Sequence, residues 1–353
     1  MKNKNWITNI ERKENLIDKS KFDLCLDQSE KIDYFPHDFF KEFISFIKQE
    51  DIIRYPNFVE LKEKIALFNN VEFENIFLTP GSDQCIKTAF EICVEPHANV
   101  ISSYPCFPMY EIYSNQCNAI FYHDINYDKS LYLDLNKILN RINSKTRLII
   151  LSNPNSPIGD YKTYHELLPL IKETNKLGII FLIDEAYVEF SPGSMLNAIE
   201  FDNVLISRTF SKAFGGAGLR VGYIIGNKKL INLCNKFRMM YEITSLSSKF
   251  CIHLLNNYYI IEKYIEETKL EKDLIKKNLL FSNYDVIDSS ANWLHFNDKN
   301  NNEGIERIFL KNNVAIKNNV KIPFDDRNNW TRLTIGPKLN GHNVMKEIYK
   351  NGL

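Results

Sequence analysis

Uninterrupted apolar runs alternate along this chain with stretches whose apolar residues recur at helical spacing. Arg147-Leu148-Ile149-Ile150-Leu151, Gly178-Ile179-Ile180-Phe181-Leu182-Ile183 and Asn203-Val204-Leu205-Ile206 read as short buried strands, continuous rather than alternating, as in a parallel sheet covered on both faces. Residues 77–79 and 100–104 read as further strands. Between them, Ile86, Ala89, Phe90 and Cys93 fall at helical intervals within 85–94, and Phe39, Phe40, Phe43, Ile44 and Ile47 do the same within 37–49. Residues 229–280 are mostly helical, with Ile260, Ile261, Tyr264 and Ile265 against Glu262, Lys263, Glu266 and Glu267, and are expected to bridge two domains. A strand is expected over 219–225. The tail alternates strands at 284–288 and 293–296, a helix at 304–311, strands at 314–317 and 331–335, and a helix at 342–351.

A chain of 353 residues can bury a large core and is expected to split into a major and a minor domain. Lys+Arg and Asp+Glu both number 44, so no basic excess exists for a nucleic acid or an acidic membrane surface. The seven cysteines are odd in number and form no C-x-x-C pair, which suits reduced thiols. The polar N-terminus lacks a signal-like apolar stretch, and no run reaches the length of a membrane span. The expectation is a cytoplasmic protein with small-molecule substrates and neither nucleic-acid nor membrane partners.

Candidate chemistry centres on Ser207-Arg208-Thr209-Phe210-Ser211-Lys212-Ala213-Phe214-Gly215-Gly216-Ala217-Gly218-Leu219-Arg220, where a strand gives way to a loop. A lone lysine is most often a solvated cation. The glycines argue for close approach to a ligand, and Thr209, Ser211 and Arg220 offer hydroxyls and a fixed cation for a phosphate. A lysine beside a phosphate site suggests a Schiff base with pyridoxal phosphate. Gly81-Ser82-Asp83 opens a helix, which is both a plain N-terminus and a potential anion site. Asp184 ends an apolar strand, where ligands gather in doubly wound sheets; a capping role is the alternative. Tyr55 before Pro56 reads as a turn residue, Phe107 between two prolines as a packing plug or a stacking platform. Arg332 within a strand is an edge residue or a carboxylate fork.

The lysine segment resembles the cofactor-lysine motif of fold-type I pyridoxal-phosphate enzymes, the class I/II aminotransferases. Its Ser-Lys-Ala-Phe-Gly-x-Ala-Gly-Leu-Arg wording is most similar to the histidinol-phosphate aminotransferase branch, which also contains decarboxylases of phosphorylated amino acids. Motifs from Tyr55 to Arg332 carry the likeness. It implies an α/β fold with a mostly parallel seven-stranded sheet in a large domain and a small α/β domain. The implied division is 1–45 as N-terminal arm and part of the small domain, 46–235 as the cofactor domain, and 236–353 as interdomain helix and small C-terminal domain.

The resemblance also implies roles. Lys212 would hold pyridoxal 5′-phosphate as a Schiff base and then move the proton between Cα and C4′; Asp184 would keep the pyridine nitrogen protonated; Tyr187 would stand beside the phenolic oxygen. Gly81, Ser82, Asp83, Thr209, Ser211 and Arg220 would cup the phosphate, and Phe107 would stack on the ring. Tyr55 would reach the cofactor phosphate of a partner subunit, giving a homodimer with shared active sites. In Asn153-Pro154-Asn155-Ser156-Pro157 many members place the ring-binding asparagine directly before the second proline, where this chain has Ser156, so Asn155 or Ser156 takes that role; Asn155 is preferred. Arg332, in an R-x-T-x-G context, would bind the substrate carboxylate, and Lys317 would add a cation for a substrate phosphate. Where members carry an Asn-Glu-Asn-Pro-like turn near the substrate, this chain has Ser29-Glu30-Lys31, a departure that bears on the substrate and not on the cofactor.

Competing motifs fail. Gly216-Ala217-Gly218 lacks the third glycine of a dinucleotide fingerprint, no G-K-[ST] loop exists, and the seven histidines show no metal-ligand spacing. The expected function is an aminotransferase of a small, phosphorylated amine or carbonyl substrate with glutamate as donor. The alternative is decarboxylation of a phosphorylated amino acid of the phosphothreonine or phosphoserine type. A regulatory module without turnover would need an added DNA-binding domain, for which the chain has neither room nor a basic patch.

Overall fold

The computed structural model describes residues 5–10, 18–128, 130–298, 303–323, 325 and 330–352. In chain order its strands are β1 (Leu24–Cys25), β2 (Ile76–Thr79), β3 (Asn99–Tyr104), β4 (Ile120–Asn126), β5 (Thr146–Ser152), β6 (Ile180–Asp184), β7 (Val204–Thr209), β8 (Gly222–Gly226), β9 (Asp285–Ile287), β10 (Trp293–Asn297), β11 (Val314–Ala315), β12 (Lys317–Val320) and β13 (Trp330–Thr334). Seven of them form one sheet in the order β2-β8-β7-β6-β5-β3-β4, and only β8 runs against the rest.

Parallel neighbours need a crossover, and the chain supplies one between β5 and β6 as the helix Tyr164–Leu177. Thr163 and Glu166 start it with a reciprocal capping box: the Glu166 amide donates to the Thr163 hydroxyl at 3.3 Å and the Thr163 amide to the Glu166 carboxylate at 2.8 Å. The apolar runs are uninterrupted because both faces of the sheet are covered. Ile149, Leu151, Phe181, Ile183, Val204 and Ile206 enter one core, while Leu148, Ile150, Leu182 and Leu205 enter another under the helix Ser82–Cys93.

A second sheet, β12-β13-β10-β9, is antiparallel throughout and packs its own core around Leu294, Phe296, Leu333 and Ile335. Leu26 joins that core, next to the short parallel pair β1–β11, so both ends of the chain meet there. The helix Tyr258–Phe281 spans the two cores, with Ile261, Tyr264 and Ile265 in the first and Ile275 and Leu279 in the second. Among the described residues no helix is long and apolar enough to cross a membrane.

Several boundaries differ from the sequence expectation. The strand read at 219–225 begins only at Gly222, because Ala217–Leu219 forms a 3₁₀ turn and Arg220 takes a left-handed backbone that aims its guanidinium at Ser211. The strand read at 314–317 splits into β11 and β12, which pair with different partners. The helix read at 37–49 ends at Ser45, and the helical stretch read at 229–280 breaks between Phe237 and Ser245.

Candidate active site

The parallel strands β5, β6 and β7 end side by side, with Ser152 opposite Asp184 and Asp184 opposite Ser207. This is the edge where open α/β sheets bind ligands, and a cavity of about 790 Å³ opens there. Phe107, Ser156, Pro157, Tyr187, Lys212, Lys317 and Arg332 are among the residues of its wall, drawn from both sheets.

Lys212 follows β7 and projects into the cavity. Its Nζ donates to the Gln28 carbonyl at 2.7 Å and stands 5.3 Å from the centroid of the Tyr187 ring. Arg332, on β13, donates from Nη2 to the Asp27 carbonyl at 2.9 Å, and Lys317 lies directly across from it on β12. Among the described residues, no carboxylate lies within ion-pair distance of Lys212, Arg332 or Lys317. Gln28 thus lines the wall, and the Asp27 and Gln28 carbonyls meet Arg332 and Lys212. Motif reading finds no signal for those contacts because carbonyls carry no residue identity.

Asp184 is buried at the end of β6. The Tyr110 hydroxyl donates to its Oδ2 at 2.9 Å and the Ser207 hydroxyl to its Oδ1 at 3.3 Å. Burial pushes its pKa up to about 6 against the pull of those two hydrogen bonds. None of its partners is a cation, so the site presents a buried carboxyl that lacks a positive neighbour. Tyr110 and Ser207 were not singled out in the sequence. Tyr110 follows Phe107 by three residues and touches its ring edge-on at 5.8 Å, so a polar residue on that turn was the available signal.

Gly81, Ser82, Thr209, Ser211 and Arg220 converge around the ends of β2, β7 and β8. Gly81 has φ +80°, and a Cβ there would lie 2.5 Å from Arg220 Nη2. The Thr209 and Ser211 hydroxyls are 3.0 Å apart, and Arg220 Nη1 reaches Ser211 Oγ at 3.4 Å. Asp83, in the first turn of the helix Ser82–Cys93, acts on Asp184 as a like charge that helps to raise it. Gly222 on β8 lets the two strand ends approach, since a Cβ there would lie 2.5 Å from both Gly81 C and Ser82 N. That contact is with backbone and cannot be relieved by a rotamer change. Gly222→Ala is therefore expected to cost about 1–3 kcal/mol of stability. A melting curve checks it; a parental melting temperature would show that the two strand ends can separate at no cost.

Two residues named from the sequence lie elsewhere. Asn155 is buried behind the wall, where its Nδ2 donates to Pro105 O at 3.3 Å and Ser103 Oγ at 3.4 Å and its Oδ1 accepts from the Ile158 amide at 3.0 Å. Its amide serves the loop, and Ser156 rather than Asn155 faces the cavity. Tyr55 is exposed, stacks on Tyr241 at 4.3 Å, and is not part of the cavity wall of this chain.

The residues present fit a pyridoxal phosphate: a glycine-lined cradle with hydroxyls and a guanidinium for the phosphate, a buried carboxyl without a cation, and a lysine that lines the open cavity. Sheet order and wall together define the fold-type I architecture of pyridoxal-phosphate enzymes. The family model "Aminotransferase class I and II" matches residues 25–346. The chain is 31% identical over 300 residues to histidinol-phosphate aminotransferase of Christiangramia forsetii, covering 83% of this chain and 84% of that one. It is 33% identical over 253 residues to the enzyme of the same name from Methanocaldococcus jannaschii, covering 69% and 67%. The fold matches histidinol-phosphate aminotransferase from Sinorhizobium meliloti in complex with pyridoxal-5′-phosphate, at TM-score 0.83 and 18% identity over 98% of this chain and 95% of that one. The chain belongs to the class I and II aminotransferases and is a pyridoxal-phosphate-dependent enzyme.

Proposed function

We propose that this aminotransferase moves an amino group between L-glutamate and a small phosphorylated amine or carbonyl compound of the histidinol-phosphate type. The observation that carries the reading is the set of cations lining one cavity, none with an ion-pair partner among the described residues: Lys212 for the chemistry, Arg332 for a carboxylate or phosphate, and Lys317 with Lys321. Two such anion sites beyond the reacting lysine suit a substrate pair in which glutamate brings a side-chain carboxylate and its acceptor a phosphate. The names of the relatives at 31–33% identity support the phosphate.

Pyridoxal 5′-phosphate, when bound, supplies the electron sink that stabilises negative charge at the substrate's α-carbon. The chain's residues have separate tasks around it. Gly81, Ser82, Asp83, Thr209, Ser211 and Arg220 hold the phosphate end. Phe107 covers the ring. Tyr187 and Ser156, or Asn155 after a loop shift, hydrogen-bond the phenolic side, and Asp184 keeps a proton on the ring nitrogen. Arg332 would orient the incoming amino acid, and Lys212 Nζ, which would hold the cofactor at rest and be released when the substrate's amine takes its place, would then take the proton from Cα.

The reading includes a cytoplasmic homodimer in which Tyr55 serves the partner's site. Its support is the exposed apolar residues close to that tyrosine, Ile52 and Ile53 just before it in the chain and Met240 beside its stacking partner Tyr241. It also divides the chain at residues 45 and 235.

The test is the absorbance spectrum of the purified holoenzyme before and after L-glutamate alone. Loss of the lysine-linked cofactor band with growth of the pyridoxamine band is expected. A band that glutamate leaves untouched would overturn the transamination reading in favour of decarboxylation, with phosphoserine and phosphothreonine the next substrates tried.

A further inference from the structure

We infer that Trp293 is a positioning residue of this site, holding the substrate arginine, the cofactor-side tyrosine and the loop after β5 in one arrangement. Trp293 opens β10 in the second sheet and is fully buried, outside the cavity wall. Its Nε1 donates to the Pro157 carbonyl at 3.2 Å. Its ring meets Tyr187 edge to face, with centroids 4.6 Å apart and planes at 81°. The Arg332 guanidinium carbon lies 5.5 Å from the same ring. Pro157, Tyr187 and Arg332 all face the cavity, yet they belong to a loop after β5, a turn after β6 and a strand of the other sheet.

The physical case rests on what else restrains these groups. Among the described residues the Arg332 guanidinium makes a single hydrogen bond, to the Asp27 carbonyl, and its Nε meets no acceptor. His295, two residues along the same face of β10 and directly opposite Arg332, is buried and neutral, its pKa lowered to about 3 by burial and by the Arg332 charge. The guanidinium therefore meets no charge on that side, and the indole face is what limits its swing, through a cation–π contact. A bidentate grip on a carboxylate needs the fork held in one plane. The second sheet is also tied to the loop at 157–159 without Trp293, by the Ser290 amide donating to the Gly159 carbonyl at 2.8 Å. Loss of the indole should thus loosen the arrangement without undocking the sheets.

The inference rests on the reading that Arg332 binds the substrate's anionic group, and the experiment separates the two. Trp293→Leu, Arg332→Ala and the double variant are compared as holoenzymes in the half-reaction with L-glutamate, where loss of the lysine-linked cofactor band followed against glutamate concentration gives the half-saturating concentration (KM) and the limiting rate (kcat), after circular dichroism and cofactor absorbance establish folding. Trp293→Leu is expected to raise KM roughly tenfold, with kcat changed by less than about threefold. Its effect should vanish in the Arg332→Ala background, as coupling through one residue requires. An unchanged KM in Trp293→Leu beside a raised KM in Arg332→Ala would overturn the positioning role. So would a Trp293→Leu effect that appears in full on top of Arg332→Ala, since that is the mark of general loosening. An unchanged KM in Arg332→Ala would remove the reading of Arg332 and this inference with it. If Trp293→Leu does not fold, Trp293→Phe enters the same cycle with an expected rise of about threefold, because phenylalanine keeps a weaker aromatic face.

Discussion

Lys212→Ala is expected to lose at least about 10³-fold in turnover, the range of a lost general acid–base together with its nucleophile, while remaining folded and of unchanged oligomeric mass. The structural cost is small because Lys212 Nζ makes one hydrogen bond, to the Gln28 carbonyl, which contributes on the order of 1 kcal/mol. The chemical cost is large because the other amines on the wall, Lys317 and Lys321, come from and just beyond β12 in the second sheet, whereas Lys212 alone sits at the end of β7 beside Tyr187. Lys212→Arg should be as inactive. It keeps the charge and the bond to Gln28, but a guanidinium does not deprotonate to act as nucleophile or base. Turnover with glutamate, light-scattering mass and a thermal melt decide the matter. Activity within tenfold of the parent in either variant would transfer the chemistry to another residue.

The large sheet was legible because its strands are buried on both faces, and the apolar run survives whichever core each residue enters: Ile149 goes one way and Leu148 the other. The placement of Lys212, Asp184, Gly81 and Arg220 around the strand ends was legible because close backbone approach, fixed charge and strand ends restrict which residues fit there. The contacts between distant segments were not. Gln28 and Asp27 meet Lys212 and Arg332 through carbonyls, and Trp293 packs behind the wall, where sequence shows only an aromatic in a strand. Asn155 shows the limit at single-residue scale. The loop was recognised, but the one-residue difference between facing the cavity and bonding Pro105 is decided by the loop's own hydrogen bonds. The late start of β8 has the same origin, because Arg220 is taken out of the strand by its turn toward Ser211.

Asp184→Asn is expected to lower kcat by about 10²–10³-fold, the scale of losing one preorganised charge at a reacting centre, and to change how cofactor binding depends on pH. The substitution is nearly isosteric and keeps an acceptor for the Tyr110 hydroxyl, so packing is retained. What it removes is the buried negative charge. In the cofactor-free protein burial raises the Asp184 pKa from 3.8 to about 6. The folded state therefore holds this proton more tightly than the unfolded chain does, and the group's contribution to stability declines as pH rises from about 4 to about 6. A protonated ring nitrogen brought beside it would reverse that sign, because the ionised form then has the partner it lacks. Affinity for pyridoxal 5′-phosphate should accordingly weaken as pH falls below about 6, by up to roughly tenfold per unit for a single linked proton. In Asp184→Asn that limb should be absent. Absorbance titrations of the cofactor-free protein between pH 5 and 8 measure both curves. The same acidic limb in the two proteins would assign the titration to another group and leave Asp184 a structural acceptor for Tyr110 and Ser207.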